Sequence, residues 1–137
     1  MIGVQLDGPR FSLSGKEVFR HRTNPKEDWS QKLLGLAADL DTTLRKGPPN
    51  ALVVRRIDWT QFRKENVTRA RYEIDGTILS TARRHVEIVD SKSGGELGKL
   101  CDSDKESLEH EAAQLLGDEL KQAVAAGIGA LVLVGQA

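Results

Sequence analysis

The chain has 137 residues, of which 39% are hydrophobic and 29% charged, and its formal net charge is zero; this size and composition are typical of one globular domain. The single cysteine, Cys101, excludes an internal disulfide and fits a reducing compartment, and zero net charge argues against a dedicated binder of DNA of any sequence, which would be basic overall. Because no stretch resembles a signal peptide or reaches the roughly 20 apolar residues of a membrane span, we expect a cytoplasmic domain over residues 1–137 with no membrane contact.

Three short runs at the start of the chain have the pattern of β-strands. They cover residues 2–7, 10–13 and 17–22, and apolar side chains recur along each of them. Turn-forming residues separate the runs, at 7–9 and again at 14–16. This arrangement predicts an antiparallel meander of three strands.

The rest of the chain alternates between helix and strand. Helical spacing follows Asp28 or Ser30, either of which can cap a helix that ends at 47–49. Residues 51–54 form a continuous apolar run, which is typical of a strand buried on both faces. Residues 60–84 are predicted to form one long helix or two helical pieces. The further predicted elements are a strand over 86–89, a loop over 91–98, a helix capped by Asp102 or Ser103, and a buried helix over 119–134.

The complete predicted order is β-β-β-α-β-α-β-α-α. It indicates an α/β domain in which three antiparallel strands precede alternating helices and strands, all in a single mixed sheet. Gly76 lies in the middle of the predicted helix 60–84, where a glycine costs about 1 kcal/mol relative to alanine. We therefore expect Gly76 to allow the close approach of another element.

This order resembles that of the ribonuclease H-like superfamily and, within it, the RuvC-type Holliday-junction resolvases. Members begin with a strand that ends in an aspartate and a glycine-containing turn, as residues 2–8 do. Residues 68–71 and 76–79 are similar to their Ala-, Gly- and Arg-rich helix, and 118–123 to their last helix, which opens with aspartates. The resemblance implies a ribonuclease H-like fold, and for an active member a Mg²⁺- or Mn²⁺-dependent endonuclease that cleaves structured DNA or RNA.

The same resemblance implies a set of catalytic carboxylates. Asp7, Asp58 and Asp118 are the catalytic candidates, and Asp7, Asp118 and Glu119 are the candidate metal ligands. Clustered carboxylates of this kind hold two divalent cations about 4 Å apart, which activate water and stabilise the leaving oxygen. Each aspartate also has a structural interpretation: Asp7 as a turn residue, Asp58 as the partner of an arginine, and Asp118 as a helix N-cap.

Two positions depart from the family's pattern. The family has a glutamate at the end of its fourth strand, where this chain has Arg55 and Arg56, and a second aspartate in the last helix, where it has Lys121. Because consecutive strand residues face opposite sides, one of the two arginines must lie near the position of the missing glutamate. A guanidinium there competes with a metal cation for the same carboxylates, so we predict a degenerate carboxylate set.

The middle of the chain is its basic part. Residues 55–84 carry eight basic and four acidic residues, net +4, whereas 85–137 carry four basic and ten acidic, net −6, which predicts a bipolar surface. The arginines indicate either a phosphate-contacting face or a solvated helix whose arginines pair with Glu65, Glu73 and Asp75. The candidates for nucleic-acid binding are Arg55, Arg56, Arg63, Arg69 and Arg71, with Trp59, Phe62 and Tyr72 as aromatics that stack on unpaired bases.

Three hypotheses of function follow. The first is a catalytically degenerate RuvC-like subunit that recognises a protein partner or nucleic acid within a larger assembly, in DNA metabolism or phage defence. The second is an active nuclease that uses Mg²⁺ or Mn²⁺. The third is a homo-oligomeric interaction module that uses the Ala- and Gly-rich helix 119–134. No other cofactor is expected, because neither a Walker motif nor a GxGxxG motif follows a strand.

Overall fold

The computed structural model describes residues 2–7, 10–17, 19, 21–58 and 64–136, with side chains at position 19 and over the last two ranges. In these residues the strands are β1 (Ile2–Asp7), β2 (Arg10–Glu17), β3 (Ala51–Arg55) and β4 (Ile88–Lys92). The helices are α1 (Trp29–Lys46), α2 (Glu65–Ala82), α3 (Gly94–Leu100), α4 (Lys105–Leu116) and α5 (Lys121–Gln136), and a short 3-10 turn (Asp118–Leu120) precedes α5.

The chain opens with a two-stranded hairpin. Strand β1 pairs antiparallel with β2, and β2 continues through 14–16, where the sequence predicted a tight turn. The pairing register shifts between Ile2 and Val4, so the extra residues of β2 are absorbed as a bulge, which is where a strand glycine is commonly found. The predicted three-stranded meander is therefore wrong: position 19 and residues 21–24 are not in a strand, and positions 18 and 20 lie outside the described residues.

Strand β3 precedes α2 in the sequence and β4 follows it, and the two strands pair with each other in parallel. Their register runs from Ala51 opposite Ile88 to Arg55 opposite Lys92. The predicted strand 86–89 is thus shifted, and the predicted loop 91–98 is instead the end of β4 followed by α3. The described residues form two separate two-stranded sheets, not the single mixed sheet that was predicted. Helix α5 packs against both β1 and β3 and so joins the two sheets.

Side-chain caps set the starts of three helices. Asp28 caps α1 in a capping box: its carboxylate accepts from the backbone N–H of Gln31, and the Gln31 side chain accepts from the backbone N–H of Asp28. Asp104, rather than Asp102 or Ser103, caps α4, and Ser93 caps α3. The predicted start of α1 is confirmed, and that of α4 is wrong by one to two residues.

Two apolar clusters lie on opposite faces of β3. Leu52 and Val54 pack in the first cluster with residues of α1 and α2, while Val53 packs against the second, which α3, α4 and α5 form. Val124, Ala125, Ala126 and Ile128 of α5 are buried, as predicted for the last helix. Strand β3 is therefore covered by helices on both of its faces.

Close backbone approach occurs at other glycines than the one predicted. Gly76 is exposed, and a Cβ built there meets nothing within 4 Å, so that prediction is wrong. At Gly98 a Cβ would come within 2.6 Å of the backbone of Asp104. Among the residues that the structure describes, none of the helices has the length and hydrophobicity needed to span a bilayer.

Candidate functional site

Arg55 is a buried cation at the carboxyl end of β3. Its side chain is 5% exposed, and its Nη2 lies 3.1 Å from Oδ2 of Asp58 and 3.2 Å from Oε1 of Glu109 on α4. Its Nη1 also donates to the carbonyl of Arg56. A buried charge persists only when it is paired and hydrogen-bonded, so the two carboxylates are what allows a guanidinium here. A positive charge therefore occupies the end of the strand where the resemblance called for a glutamate.

Asp58 binds a second cation. Lys105 of α4 donates from Nζ to Asp58 Oδ2 over 2.5 Å. The hydrogen bond from Lys105, followed by that from Arg55, holds the pKa of Asp58 below its usual range. Asp58 is thus ionised at neutral pH, and its charge is neutralised by protein side chains. The contact of Asp58 with Arg55 is the pairing with an arginine that the structural interpretation of Asp58 predicted.

Arg71 connects α2 to the same strand end. Its Nε donates to Asp75 Oδ1 over 3.0 Å, and its Nη2 donates to the carbonyl of Arg55 over 2.9 Å. Asp75 is buried, and burial raises its pKa although the positive charges of Arg71 and Arg56 lower it. Arg71 therefore positions α2 against β3, although 40% of its side chain is exposed.

An open cavity adjoins this network at the carboxyl ends of β3 and β4. It encloses about 410 Å³ and is lined by Arg56, Ile57, Asp58, Tyr72 and Ser93. Arg56 pairs with Glu96 of α3 and keeps 38% of its side chain exposed. In α/β proteins, ligands bind in the crevice beyond the carboxyl ends of parallel strands, so the cavity lies where a binding site is expected.

The two carboxylates before α5 lie on the surface. Asp118 and Glu119 belong to the 3-10 turn, and the Asp118 side chain is 88% exposed with Nζ of Lys121 at 3.9 Å. Gly117, at a φ of 96°, ends α4 and is the N-cap of the turn, and Asp118 is the first residue of the turn, so its interpretation as an N-cap is wrong. Asp7 ends β1, and its side chain lies outside the described residues.

The described side chains do not fit a magnesium or manganese ion. No three of their His, Cys, Asp and Glu groups converge in a way that could hold a metal. The carboxylates nearest the end of β3, Asp58 and Glu109, are already bound by Arg55 and Lys105. A divalent cation would have to displace or approach two protein cations, which is unfavourable at a partly buried site.

The five arginines proposed for nucleic-acid binding have different positions. Arg55 is buried and Arg71 is engaged by Asp75, whereas Arg63 lies outside the described residues. Arg69 is 67% exposed and pairs at 3.1 Å with Glu65, which is itself 88% exposed. Such a surface ion pair is worth at most about 1 kcal/mol, so a phosphate can replace the glutamate. Among the described candidates Arg69 is the most exposed, while Arg56 and Arg71, which are both paired, keep 38% and 40% of their side chains exposed.

Glu109 and Lys105 are the site residues that sequence reasoning missed. They lie 54 and 47 positions away from Arg55 and Asp58 along the chain. The available signal was their spacing of four residues, which puts both side chains on one face of α4. Only the packing of α4 on α3 and α5 brings this face to the end of β3.

Comparison with solved structures decides what the fold is. The structure of Thermus thermophilus RuvC matches with a TM-score of 0.69 over 98% of this chain and 86% of that one, at 16% identity. T. thermophilus RuvC in complex with Holliday junction substrate matches equally well, with a TM-score of 0.69 over 97% of this chain and 85% of that one, at 17% identity. The chain has a RuvC-like fold.

The RuvC-like fold confirms the resemblance drawn from the sequence at the level of architecture. No family model matches the sequence, and no curated protein matches it either. At 16–17% identity the likeness concerns the fold, and the chemistry must be argued from this chain's own residues. Those residues place the ion pair of Arg55 and Glu109 at the end of β3.

Proposed function

We propose that this RuvC-like domain, over residues 1–137, recognises nucleic acid and does not cleave it by metal-ion catalysis. The observation that carries the proposal is the buried Arg55, bound by Asp58 and Glu109 at the end of β3. A guanidinium is charged at every relevant pH and cannot be removed by deprotonation. It neutralises the carboxylates that a metal site at this position would need, and so favours a degenerate site over an active nuclease.

Nucleic acid is the partner that the fold and the surface charge favour. A protein of the same fold, T. thermophilus RuvC, is known in complex with Holliday junction substrate. In this chain, exposed cations follow α2 from one end to the other, and they belong to the segment of net charge +4. Phosphate contacts from such residues give affinity that depends strongly on salt. Among the described residues of this segment, the exposed cations are Lys64, Arg69, Arg83 and Arg84.

The test is a binding titration with a charge-matched control. Labelled single-stranded, duplex and four-way-junction DNA and labelled RNA are titrated with protein in EDTA, and anisotropy is followed over a range of salt concentrations. Arg69→Ala removes one exposed phosphate contact, so we expect weaker binding and a slope of log K against log salt that is smaller by about one.

The control is Arg45→Ala. Arg45 is 70% exposed and pairs with Asp41 four residues earlier, as Arg69 pairs with Glu65, but it lies on α1. The two variants therefore lose the same charge from different surfaces. Equal losses of affinity, or folded wild-type protein that binds none of the probes, would refute nucleic-acid recognition by α2.

A further inference from the structure

The cavity at the carboxyl ends of β3 and β4 has a mixed lining that the proposed function does not yet use. Arg56, Asp58 and Ser93 supply a cation, an anion and a hydroxyl, while Tyr72 and Ile57 supply an aromatic ring and an apolar side chain. Its volume of about 410 Å³ lies in the range of small-molecule sites. A few convergent polar groups beside an aromatic ring are the features that orient a planar polar ligand.

Tyr72 offers a stacking surface. It projects from α2 with half of its side chain exposed, although aromatic side chains usually bury more than this. Arg69 lies three residues earlier on α2, so the two side chains are neighbours on one helix face. A base stacked on Tyr72 would therefore place its backbone phosphate near Arg69.

The two charged groups of the cavity suit different parts of a nucleotide: Arg56 suits a phosphate, and Asp58 suits the edge of a base. Arg56 gives one hydrogen bond to Glu96 and retains further donors in its planar guanidinium, which matches a phosphate. Asp58 is held ionised and in a fixed orientation by Lys105 and Arg55, so it can accept but cannot donate. A carboxylate of this kind selects a base that carries an exocyclic amino group, as cytosine does at N4.

We propose that this cavity binds one unpaired, amino-bearing nucleotide of a nucleic-acid strand. Its base stacks on Tyr72 and donates to Asp58, and its phosphates contact Arg56 and Arg69. The proposal rests on the proposed function, since it names the part of a nucleic acid that the domain recognises. An unpaired nucleotide is required because both faces of a base are covered by its neighbours within a duplex.

The test compares two homopolymers and a duplex. Labelled oligodeoxycytidine, oligodeoxythymidine and duplex DNA of the same length are titrated by anisotropy against wild type, Tyr72→Ala and Tyr72→Phe. We expect Tyr72→Ala to weaken single-strand binding about tenfold, since base–aromatic stacking contributes about 1–3 kcal/mol. Tyr72→Phe keeps the ring and should bind as wild type does. Wild type should prefer deoxycytidine, because thymine presents a carbonyl to Asp58.

The matched control is Trp29→Ala. Trp29 is also a partly exposed aromatic residue, at 38%, but it lies at the start of α1 and is not among the cavity's lining residues. Its removal should leave single-strand binding unchanged. Equal affinity of Tyr72→Ala and wild type, or equal affinity for the two homopolymers, overturns the nucleotide site while the effect of Arg69→Ala still supports nucleic-acid recognition. Failure of wild type to bind any probe overturns both.

Discussion

Arg55 is the residue on which the interpretation of this protein depends most. It brings a charge into a nearly dry environment, and its Nε has no hydrogen-bond partner among the described residues. Burying an ion pair costs desolvation that the mutual attraction only just offsets, so such a pair adds little net stability. Removing one member is costly, however, because the other charge is then buried with fewer partners.

Glu109→Gln should therefore destabilise the fold by about 3 kcal/mol, measured as the free energy of unfolding in urea. Glu111→Gln is the control, since Glu111 lies on the same helix and is exposed. Replacing Arg55 and Glu109 together by methionine should recover most of the loss, because no unpaired charge remains. If Glu109→Gln and Glu111→Gln have equal free energies of unfolding, the burial of Arg55 does not require the charge of Glu109.

Asp75 should stabilise the fold less as the pH rises. Its pKa is raised, chiefly by burial, so the stability that it confers is fully present below its unfolded-state pKa and is lost as the pH rises through its folded-state pKa. Asp75→Asn removes that loss. The unfolding free energy of the variant minus that of wild type should therefore increase from acidic to neutral pH, as urea titrations can show. A difference that decreases with pH would mean that the ion pair with Arg71 dominates.

Helix α1 and strand β3 were predictable because local signals determine them. The capping residue Asp28 precedes a helical repeat of leucines, and an uninterrupted apolar run marks β3. The hairpin was mispredicted because the turn-like residues 14–16 are accommodated in a bulge, which depends on pairing with β1. Helix α3 was missed because its two opening glycines indicate a loop, and only the cap by Ser93 marks its start.

The candidate site was predictable only in part, and for a related reason. The sequence placed two arginines on opposite sides of the end of β3, and the structure has Arg55 buried and Arg56 facing the cavity. It also raised the pairing of Asp58 with an arginine. The contacts of Glu109 and Lys105 depend on how α4 packs, and no local signal carries that information.

The junction of α3 and α4 provides a test of close packing. A Cβ at Gly98 would lie 2.6 Å from the backbone of Asp104, whereas one at Gly95 would meet nothing within 4 Å. Gly98→Ala should therefore lower the melting temperature, because backbone atoms must move to accommodate the methyl group. Gly95→Ala should leave it unchanged or raise it, since alanine is favoured by about 1 kcal/mol in a helix. A similar tolerance at both positions would mean that the two helices separate easily.

The contact between α1 and the turn after α2 should be sensitive to acid. His85 Nε2 lies 2.6 Å from Oδ1 of Asp41, and this hydrogen bond is the main cause of the lowered pKa of Asp41. Stability that depends on a lowered carboxylate pKa is present above the unfolded-state value and is lost as the pH falls through the folded-state value. Asp41→Asn should thus melt below wild type at neutral pH, and thermal scans should show the gap closing in acid. Asp39→Asn, which removes a more exposed partner of His21, should have a smaller effect.

The molecule as a whole has less free charge than its sequence indicates. Arginines of the basic middle segment pair with glutamates of the acidic C-terminal part, at the end of β3 and in the residue after it. If the domain binds nucleic acid as proposed, we expect the cations that remain exposed on α2 to give it moderate, salt-dependent affinity, in keeping with the zero net charge. The pair of Arg55 with Glu109 is buried, whereas the pair of Arg56 with Glu96 is partly exposed.

One assay tests directly whether this RuvC-like domain, with a guanidinium at the end of β3, binds nucleic acid without cleaving it. A labelled four-way junction is incubated with wild type and Asp118→Asn, in EDTA and in Mn²⁺, and binding and cleavage are followed in the same samples. We expect salt-dependent binding in both solutions and no cleavage by either protein. Cleavage by wild type in Mn²⁺ that is lost in Asp118→Asn would make Asp118 a metal ligand and the domain an active nuclease.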